Sequence, residues 1–233
     1  MKIITADSMK YLPTMASKSV DIVLTSPPYN RKRNDKYSNY DDDIDDYYGF
    51  LKNTIDELLR ICKKWIFFNI QATYYNRADV YRLIGEYADH IQNIIIWNKT
   101  NPMPANGRNI TNSYEFIILL SDEVYPLQSN FTYTWNSIST AVNNDMPEEH
   151  KAVMSLDVAE WIINSFTQPD DIVLDCFCGT GTTGVACKKL GRKFIGIEIN
   201  EKYSEYSKKR IEGTLISQQE QMSIFDLQEA END

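Results

Sequence analysis

A serine, two prolines and a tyrosine stand together near the start of the chain, in the order Ser26-Pro27-Pro28-Tyr29. They follow Val20–Leu24, an apolar run typical of a buried strand. Consecutive prolines cannot extend a strand and restrict the residue before them, so Ser26 and the Pro27 carbonyl are fixed at its carboxyl end. Those two oxygens can accept both hydrogens of one planar amino group, while the Tyr29 ring stacks on its heterocycle. The turn therefore predicts a site for an aromatic amine, with an ordinary strand cap as the alternative.

A glycine-rich motif follows another predicted strand in the C-terminal half. Ile172–Asp175 leads directly into residues 176–184, Cys-Phe-Cys-Gly-Thr-Gly-Thr-Thr-Gly, and a helical segment comes next. Glycines let the backbone approach a ligand closely, and a helix N-terminus offers N–H groups to an anion. Phe194–Glu198 is a further strand that ends in an acid, placed where it can bind ribose hydroxyls. This unit predicts a nucleoside-cofactor site.

Chain order and one acid bear on the identity of the cofactor. Gly179, Gly181 and Gly184 match the G-x-G-x-x-G pattern of nicotinamide-dependent enzymes. Such a pattern normally opens its sheet, whereas only one predicted strand follows it here, and Asp175 would repel a pyrophosphate. S-adenosylmethionine fits better, because its ammonium suits Asp175, its carboxylate suits the helix start and its ribose suits Glu198.

Short β-branched apolar runs alternate with segments of helical periodicity along most of the chain. Strands buried on both faces and separated by helices indicate an α/β fold, a mostly parallel sheet with helices on each side. The strands are predicted at Lys2–Thr5, Val20–Leu24, Trp65–Asn69, Asn93–Trp97, Tyr114–Leu120, Ile172–Asp175 and Phe194–Glu198. The helices are predicted at about 47–62, 74–88, 156–167, 182–190 and 200–211.

Length and composition limit the class of protein. The 233 residues, 42% of them hydrophobic, suit one globular domain, which we expect over residues 1–215, with an acidic, disordered tail at 216–233. Four cysteines without a C-x-x-C pair and only two histidines predict neither a metal site nor a disulfide framework. No apolar run approaches a membrane span and the start lacks a signal peptide, so we expect a cytoplasmic protein without membrane contact.

The two motifs together resemble the DNA methyltransferases that modify exocyclic amino groups of bases. The catalytic turn of that family has Asp, Asn or Ser before Pro-Pro and an aromatic residue, which Ser26–Tyr29 matches, and Asp175–Thr183 matches its cofactor loop. The turn precedes the loop, as in the circularly permuted class called beta. The resemblance implies a Rossmann-like, S-adenosylmethionine-dependent fold with a mostly parallel seven-stranded sheet.

The resemblance also implies the residues of each site. The catalytic residues are Ser26, Pro27, Pro28 and Tyr29. The cofactor-binding residues are Asp7, Asp175, Phe177, Gly179, Gly181, Thr182, Thr183, Glu198 and Asn200. Arg31, Lys32, Arg33 and Lys36 directly follow the catalytic turn and are predicted to contact DNA phosphates, together with Lys99 and Arg108. We expect residues 30–46 to form a mobile active-site loop and residues 100–146 a short target-recognition insert.

The implied reaction is methyl transfer to the amino group of a base flipped out of double-stranded DNA. Serine at the first position of the turn favours cytosine N4, with adenine N6 as the alternative. Three other hypotheses are a methyltransferase for RNA or a small amine, a nicotinamide-dependent oxidoreductase and a catalytically silent DNA-binding subunit. A second copy of the chain, a cognate restriction endonuclease or a specificity partner are candidate protein partners.

The net charge constrains how such a protein meets DNA. Asp and Glu number 33 against 24 Lys and Arg, a net charge of -9, which argues against binding through a bulk positive field. We therefore expect weak, salt-sensitive non-specific binding, confined to a small basic face beside the catalytic turn.

Overall fold

The structure, a computed structural model, describes residues 1–30, 44–102, 110–123, 125, 135–141 and 154–214. Its strands are β1 (Lys2–Thr5), β2 (Val20–Thr25), β3 (Cys62–Ile70), β4 (Ile91–Lys99), β5 (Tyr114–Leu120), β6 (Ser137–Thr140), β7 (Ile172–Asp175) and β8 (Lys193–Glu198). Its helices are α1 (Ser8–Tyr11), α2 (Tyr47–Ile61), α3 (Arg77–Glu86), α4 (Leu156–Phe166), α5 (Thr182–Lys189) and α6 (Glu201–Glu212), and a 3-10 turn at Leu12–Thr14 follows α1.

The eight strands of the described ranges form one sheet in the order β1-β8-β7-β2-β3-β5-β4-β6. β5 runs antiparallel to β3 and β4, and every other neighbouring pair is parallel. The chain crosses from β7 to β8 on one side of the sheet centre and from β2 to β3 on the other. The sheet therefore has a switch point between β7 and β2, where open α/β sheets bind ligands beyond the carboxyl ends of their strands.

The helix α2 shows how the sequence builds these layers. Its buried side chains Leu51, Ile55, Leu58 and Ile61 recur at three- and four-residue steps, and each contributes roughly 2 kcal/mol of hydrophobic stabilisation. Asp46 caps the helix by accepting a 2.9 Å hydrogen bond from the Gly49 N–H group. The helix α3 covers the same sheet face, whereas α4, α5 and α6 pack on the opposite face. Buried on both faces, the central strands hold their carboxyl ends in fixed positions.

The predicted α/β class is confirmed, but the sheet of the described residues has eight strands rather than seven. The additional strand is β6, which pairs in parallel with β4 at the edge of the sheet. The side chains of β6 alternate between exposed and half-buried positions. Its sequence, Ser-Ile-Ser-Thr, therefore contains no apolar run that would predict a strand. The other strands lie where the apolar runs predict them, and β3 and β4 are longer at both ends.

Several predicted segments fall wholly or partly outside the described residues. These are residues 31–43 of the predicted loop at 30–46, parts of the predicted insert at 100–146 and the whole tail at 216–233. In the described ranges no helix has the length and apolar character that a membrane crossing requires. The same residues contain no cluster of His, Cys, Asp and Glu that could hold a metal ion. All four cysteines are buried and unpaired.

Candidate active site

The two motifs singled out in the sequence meet at the switch point of the sheet. Ser26 follows β2 and the glycine loop follows β7, and these strands are neighbours in parallel register. Thr25 joins the motifs directly, since its hydroxyl donates a 2.8 Å hydrogen bond to Asp175 Oδ1 across 150 residues of sequence. The Ser26–Tyr29 turn and the glycine loop therefore lie side by side at one edge of the sheet.

The glycine loop owes its shape to backbone conformation at one position and to close packing at another. Gly181 has a φ of 82° directly before α5, in the left-handed region that favours glycine. A Cβ at Gly184 would lie 2.7 Å from Phe194 Cε1 and would also meet Ile211. The first feature turns the chain into α5, and the second lets α5 pack closely on β8 and α6.

Asp175 is a buried carboxylate that receives three hydrogen bonds. Thr25 and Thr183 donate through their hydroxyls at 2.8 and 2.7 Å, and the Phe177 N–H group donates at 3.2 Å. Burial raises the pKa of Asp175 from its ordinary value of 3.8 to about 6, although the three donors oppose this shift. No lysine or arginine of the described residues pairs with Asp175, so none of them compensates its charge.

Glu198 lies at the carboxyl end of β8 with its carboxylate held by backbone donors. Gly179 N donates to Oε2 and Asn200 N to Oε1, both at 2.8 Å. Burial raises the pKa of Glu198, against the effect of these N–H groups. β1 pairs with β8, and Thr5 of β1 lies opposite Glu198. Asp7 follows Thr5 by two residues, so it comes near the end of the strand next to Glu198. The side chains of Asp7 and Asn200 also cap α1 and α6, respectively.

Three other predicted cofactor residues line the loop in different ways. The Thr183 hydroxyl faces Asp175, whereas the Thr182 hydroxyl accepts a 3.1 Å hydrogen bond from Arg210 on α6. Arg210 also donates to the Thr180 carbonyl at 3.1 Å, and burial lowers its pKa. Phe177 packs against Phe50 of α2 with ring centroids 5.7 Å apart. Arg210 carried no signal in the sequence, because its place depends on how α6 packs on α5.

Side chains from two other segments hold the Ser26–Tyr29 turn in place. The Tyr47 hydroxyl donates to the Pro28 carbonyl at 2.6 Å, and Asn76 Nδ2 donates to the Tyr29 carbonyl at 2.8 Å. No hydrogen bond from the described part of the chain reaches the Pro27 carbonyl. That carbonyl and the half-buried Ser26 hydroxyl are the acceptors that the sequence predicts for an amino group.

A polar network extends from the turn across four neighbouring strands. The Tyr29 hydroxyl lies 3.0 Å from Ser26 Oγ and donates to Glu115 Oε2 at 2.7 Å. Asn69 Nδ2 lies within hydrogen-bond distance of Glu115 Oε2 at 2.8 Å, of the Tyr29 hydroxyl at 3.0 Å and of Ser26 Oγ at 3.3 Å. Lys99 forms an ion pair with Glu115 Oε1. No role was predicted for Asn69 or Glu115, although a polar residue near one terminus of an apolar strand is a signal that the sequence offers for each.

The predicted DNA-contacting residues divide into one that the structure describes and five that it does not. The Lys99 side chain is only 13% exposed and points into the network beside Glu115. For Lys99 to contact a DNA phosphate, its ammonium group would have to leave the buried ion pair with Glu115. Arg31, Lys32, Arg33, Lys36 and Arg108 lie outside the described residues.

The fold and the site together define a class of enzyme. An open, mostly parallel sheet with a glycine loop and a Ser-Pro-Pro-Tyr turn side by side at its switch point suits an enzyme that binds its ligands at the carboxyl ends of the strands. Residues 20–209 match the family model N6_N4_Mtase, described as DNA methylase. The chain therefore belongs to the DNA methylase family, as a DNA amino-methyltransferase, which confirms the predicted family.

Curated relatives and solved structures agree with this assignment. The chain is 30% identical to the Type II methyltransferase M.HinfI of Haemophilus influenzae over 90% of this chain and 67% of that protein. It is also 30% identical to the Type II methyltransferase M.SmaI of Serratia marcescens, over 90% of each.

Two solved structures have the same fold. PvuII DNA methyltransferase (cytosine-N4-specific) matches with a TM-score of 0.75 and 19% identity, over 96% of this chain and 90% of that one. The M1.HpyAVI–SAM complex matches with a TM-score of 0.65 and 28% identity, over 90% of this chain and 98% of that one. The predicted Rossmann-like methyltransferase fold is thus confirmed.

Proposed function

We infer that this protein transfers a methyl group from S-adenosylmethionine to the exocyclic amino group of a base in double-stranded DNA, with cytosine N4 favoured. The observation that carries the proposal is the hydrogen bond from Thr25 to Asp175. It joins Thr25, the residue before Ser26, to Asp175 at the start of the glycine loop, which supports a shared site. Methyl donor and amino group would thus meet at one switch point.

The residues of the cofactor loop suit S-adenosylmethionine. Asp175 is a buried carboxylate without a cationic partner among the described residues, and an ammonium group would supply the missing charge. Glu198 is held rigidly by two backbone donors, so its remaining lone pairs can accept ribose hydroxyls. The solved relative M1.HpyAVI was crystallised with SAM. When bound, the cofactor supplies a methyl group activated by a sulfonium.

The catalytic turn makes the amino nitrogen a better nucleophile. In a base the nitrogen lone pair is delocalised into the ring, so the free amino group attacks poorly. Ser26 Oγ and the Pro27 carbonyl accept its two hydrogens and draw them out of the ring plane, which concentrates the lone pair as the transfer proceeds. The hydroxyl of Tyr29 is fixed by Glu115, so its ring, 8% exposed, forms a rigid wall of the site.

Exposed aromatic residues beside the turn suit contact with a distorted duplex. Tyr74 and Tyr75, 67% and 53% exposed, lie in the segment that leads from β3 to α3. Arg77 lies over the Tyr74 ring, 5.0 Å from its centroid, and Asn76 holds the Tyr29 carbonyl. Tyrosine and arginine side chains stack on unpaired bases and contact phosphates. We propose that these residues contact DNA next to the extrahelical base.

The assignment of cytosine as the target base depends on a single residue, Ser26. Serine at the start of the turn favours cytosine N4 through the resemblance that the sequence carries, and both cytosine and adenine present an amino group to the same acceptors. Nucleoside mass spectrometry of plasmid DNA, incubated with the protein and cofactor, separates N4-methylcytosine from N6-methyladenine. Detection of N6-methyladenine would correct the base and keep the reaction, whereas no methylated nucleoside would refute the proposed function.

Replacement of Ser26 tests the role of the turn. Ser26→Ala removes one of the two acceptors, so we expect kcat to fall by about 100-fold or more, as for other single groups that act on the transition state. The affinity for S-adenosylmethionine, measured by calorimetry, should stay within about twofold because Asp175 and Glu198 are intact. Ser17→Ala, at an exposed serine before β2, is the matched control. Wild-type transfer by Ser26→Ala would contradict the role assigned to its hydroxyl.

A further inference from the structure

The polar network of Tyr29, Glu115, Asn69 and Lys99 determines whether the Ser26 hydroxyl donates or accepts hydrogen bonds. We propose that Glu115 is a positioning residue that makes Ser26 an acceptor for the target amino group, acting through Tyr29. This inference rests on the proposed methyl transfer at Ser26 and adds a residue to the machinery for it. Glu115 itself touches neither the cofactor loop nor the acceptors of the turn.

The argument follows the hydrogen of each hydroxyl group. Lys99 forms an ion pair with Glu115 Oε1, so Glu115 is a carboxylate and both its oxygens can only accept. The hydrogen of Tyr29 is therefore given to Glu115 Oε2, at 2.7 Å. In the 3.0 Å contact between Tyr29 and Ser26, the tyrosine oxygen must then accept and Ser26 must donate. Its only hydrogen is directed at Tyr29, so Ser26 Oγ still presents a lone pair to the site although Asn69 Nδ2 lies 3.3 Å away.

The side-chain amide of Asn69 donates into the same network, while its own oxygen is left without a hydrogen-bond partner among the described residues. Its Nδ2 faces the three acceptors Glu115 Oε2, Tyr29 and Ser26 Oγ. The opposite amide orientation would place Oδ1 against the Glu115 carboxylate, so the observed one is the better choice. Asn69 Oδ1 is buried without a hydrogen-bond partner in the described structure. Unsatisfied buried polar atoms are rare in native proteins, and this one is tolerated while Nδ2 serves the network.

The sheet brings the members of the network to one edge and one face. Ser26 and Asn69 come one step after the paired residues Thr25 and Phe68 of β2 and β3. Glu115 lies near the start of antiparallel β5, opposite Trp97 of β4. Lys99 is the last residue of β4 and follows Trp97 by two residues, so both side chains are on the same face. The Glu115 side chain is 6% exposed, so water cannot replace its contacts. Four adjacent strands thus build a rigid support for one hydroxyl.

A double-mutant cycle in methyl transfer tests the proposal. In Glu115→Gln, Lys99 retains the side-chain oxygen and the amide NH₂ faces both Tyr29 and Asn69 Nδ2, so Tyr29 loses the carboxylate that accepts its hydrogen. That hydrogen then turns to Ser26 Oγ and occupies a lone pair. We expect kcat to fall about 10- to 100-fold, the effect of one hydrogen bond to a charged group. The KM for DNA and the affinity for S-adenosylmethionine should change less than about twofold. Tyr29→Phe should also lower kcat, and the double variant should be no slower than Tyr29→Phe alone.

Two outcomes would overturn the inference. One is wild-type kcat in Glu115→Gln. The other is a double variant whose losses multiply, because a carboxylate that merely stabilises the fold would act whether or not Tyr29 has a hydroxyl. Glu160→Gln is the matched control, since Glu160 pairs with Lys189 at 2.7 Å on the surface; its activity should be unchanged.

A second cycle covers the case in which Glu115→Gln fails to fold, as urea unfolding would show. Tyr29→Phe should then lower kcat in the wild type but cause no further loss in Ser26→Ala, because Tyr29 acts through that hydroxyl. Multiplicative losses would again refute the chain of hydrogen bonds. A wild-type enzyme that methylates no DNA would instead refute the proposed function itself.

Discussion

The buried carboxylate of Asp175 should cost stability in the free protein, and its removal should be measurable. Its pKa of about 6 lies above the ordinary value of 3.8 because burial disfavours the charge. At about 1.4 kcal/mol for each pKa unit, the ionised group destabilises the fold by about 3 kcal/mol. A raised acid pKa gives stability that is complete below about pH 4 and lost as the pH rises through 6. Asp175→Asn removes this loss while it keeps the shape of the side chain.

The variant should therefore be more stable than the wild type at neutral pH and equal to it in acid. Urea unfolding should show a gain of about 3 kcal/mol at pH 7.5, or roughly 6–12 °C in Tm for a domain of this size, and almost no gain at pH 4. Asp170→Asn, at a carboxylate that is 81% exposed, should change stability by less than about 0.5 kcal/mol at either pH.

Cofactor binding should change in the opposite direction. Two unit charges 4 Å apart attract by about 4 kcal/mol at the effective dielectric constant of a protein surface, enough to offset the cost of the buried carboxylate. Asp175→Asn should weaken S-adenosylmethionine binding by about 100-fold or more in calorimetry at pH 7.5. In the wild type, binding near pH 6 should release up to about half a proton, because the cation favours ionised Asp175.

Two results would refute this account of Asp175. A difference in stability between variant and wild type that is the same at pH 4 and pH 7.5 would show that the carboxylate carries no burial cost. An unchanged affinity for S-adenosylmethionine in Asp175→Asn would show that no ammonium group lies beside it.

Two further substitutions test the cofactor loop. Glu198→Gln should weaken S-adenosylmethionine binding by about 10-fold in calorimetry, the contribution of one charge-assisted hydrogen bond. An analogue that lacks the ribose hydroxyls should show no such loss of affinity. An equal loss with that analogue would contradict the ribose contact. Gly184→Ala should lower the free energy of unfolding by about 1–3 kcal/mol because its Cβ would collide with Phe194. In contrast, Gly85→Ala in α3, which meets no atom within 4 Å, should raise it by roughly 0.5–1 kcal/mol in urea titrations; the same sign for both would contradict the packing argument.

The elements that local sequence could predict are those with a strong apolar pattern. β5 and β7 begin and end at the predicted residues, since each is an uninterrupted run with a clear boundary. β6 was not predicted, because an edge strand with alternating exposure needs no continuous apolar run. Its place depends on pairing with β4, far away in the chain.

The contacts of individual polar residues were harder to predict than the elements that carry them. Lys99, which is predicted to contact DNA, also forms an ion pair with Glu115, because antiparallel pairing of β4 and β5 brings the two together. Thr182 was predicted to bind the cofactor, and its hydroxyl accepts a hydrogen bond from Arg210. In both cases the partner comes from a distant segment, so no local pattern could show it.

The sequence alone determined the alternation of strands and helices, the Ser-Pro-Pro-Tyr turn, the glycine loop and the family that these imply. Those features are local, because prolines, glycines and apolar periodicity act on their immediate neighbours. Only the tertiary structure decided that Thr25 touches Asp175 and that Ser26, Asn69, Glu115 and Lys99 share one edge of the sheet. Such contacts follow from strand order and register, which are set by the packing of the whole sheet.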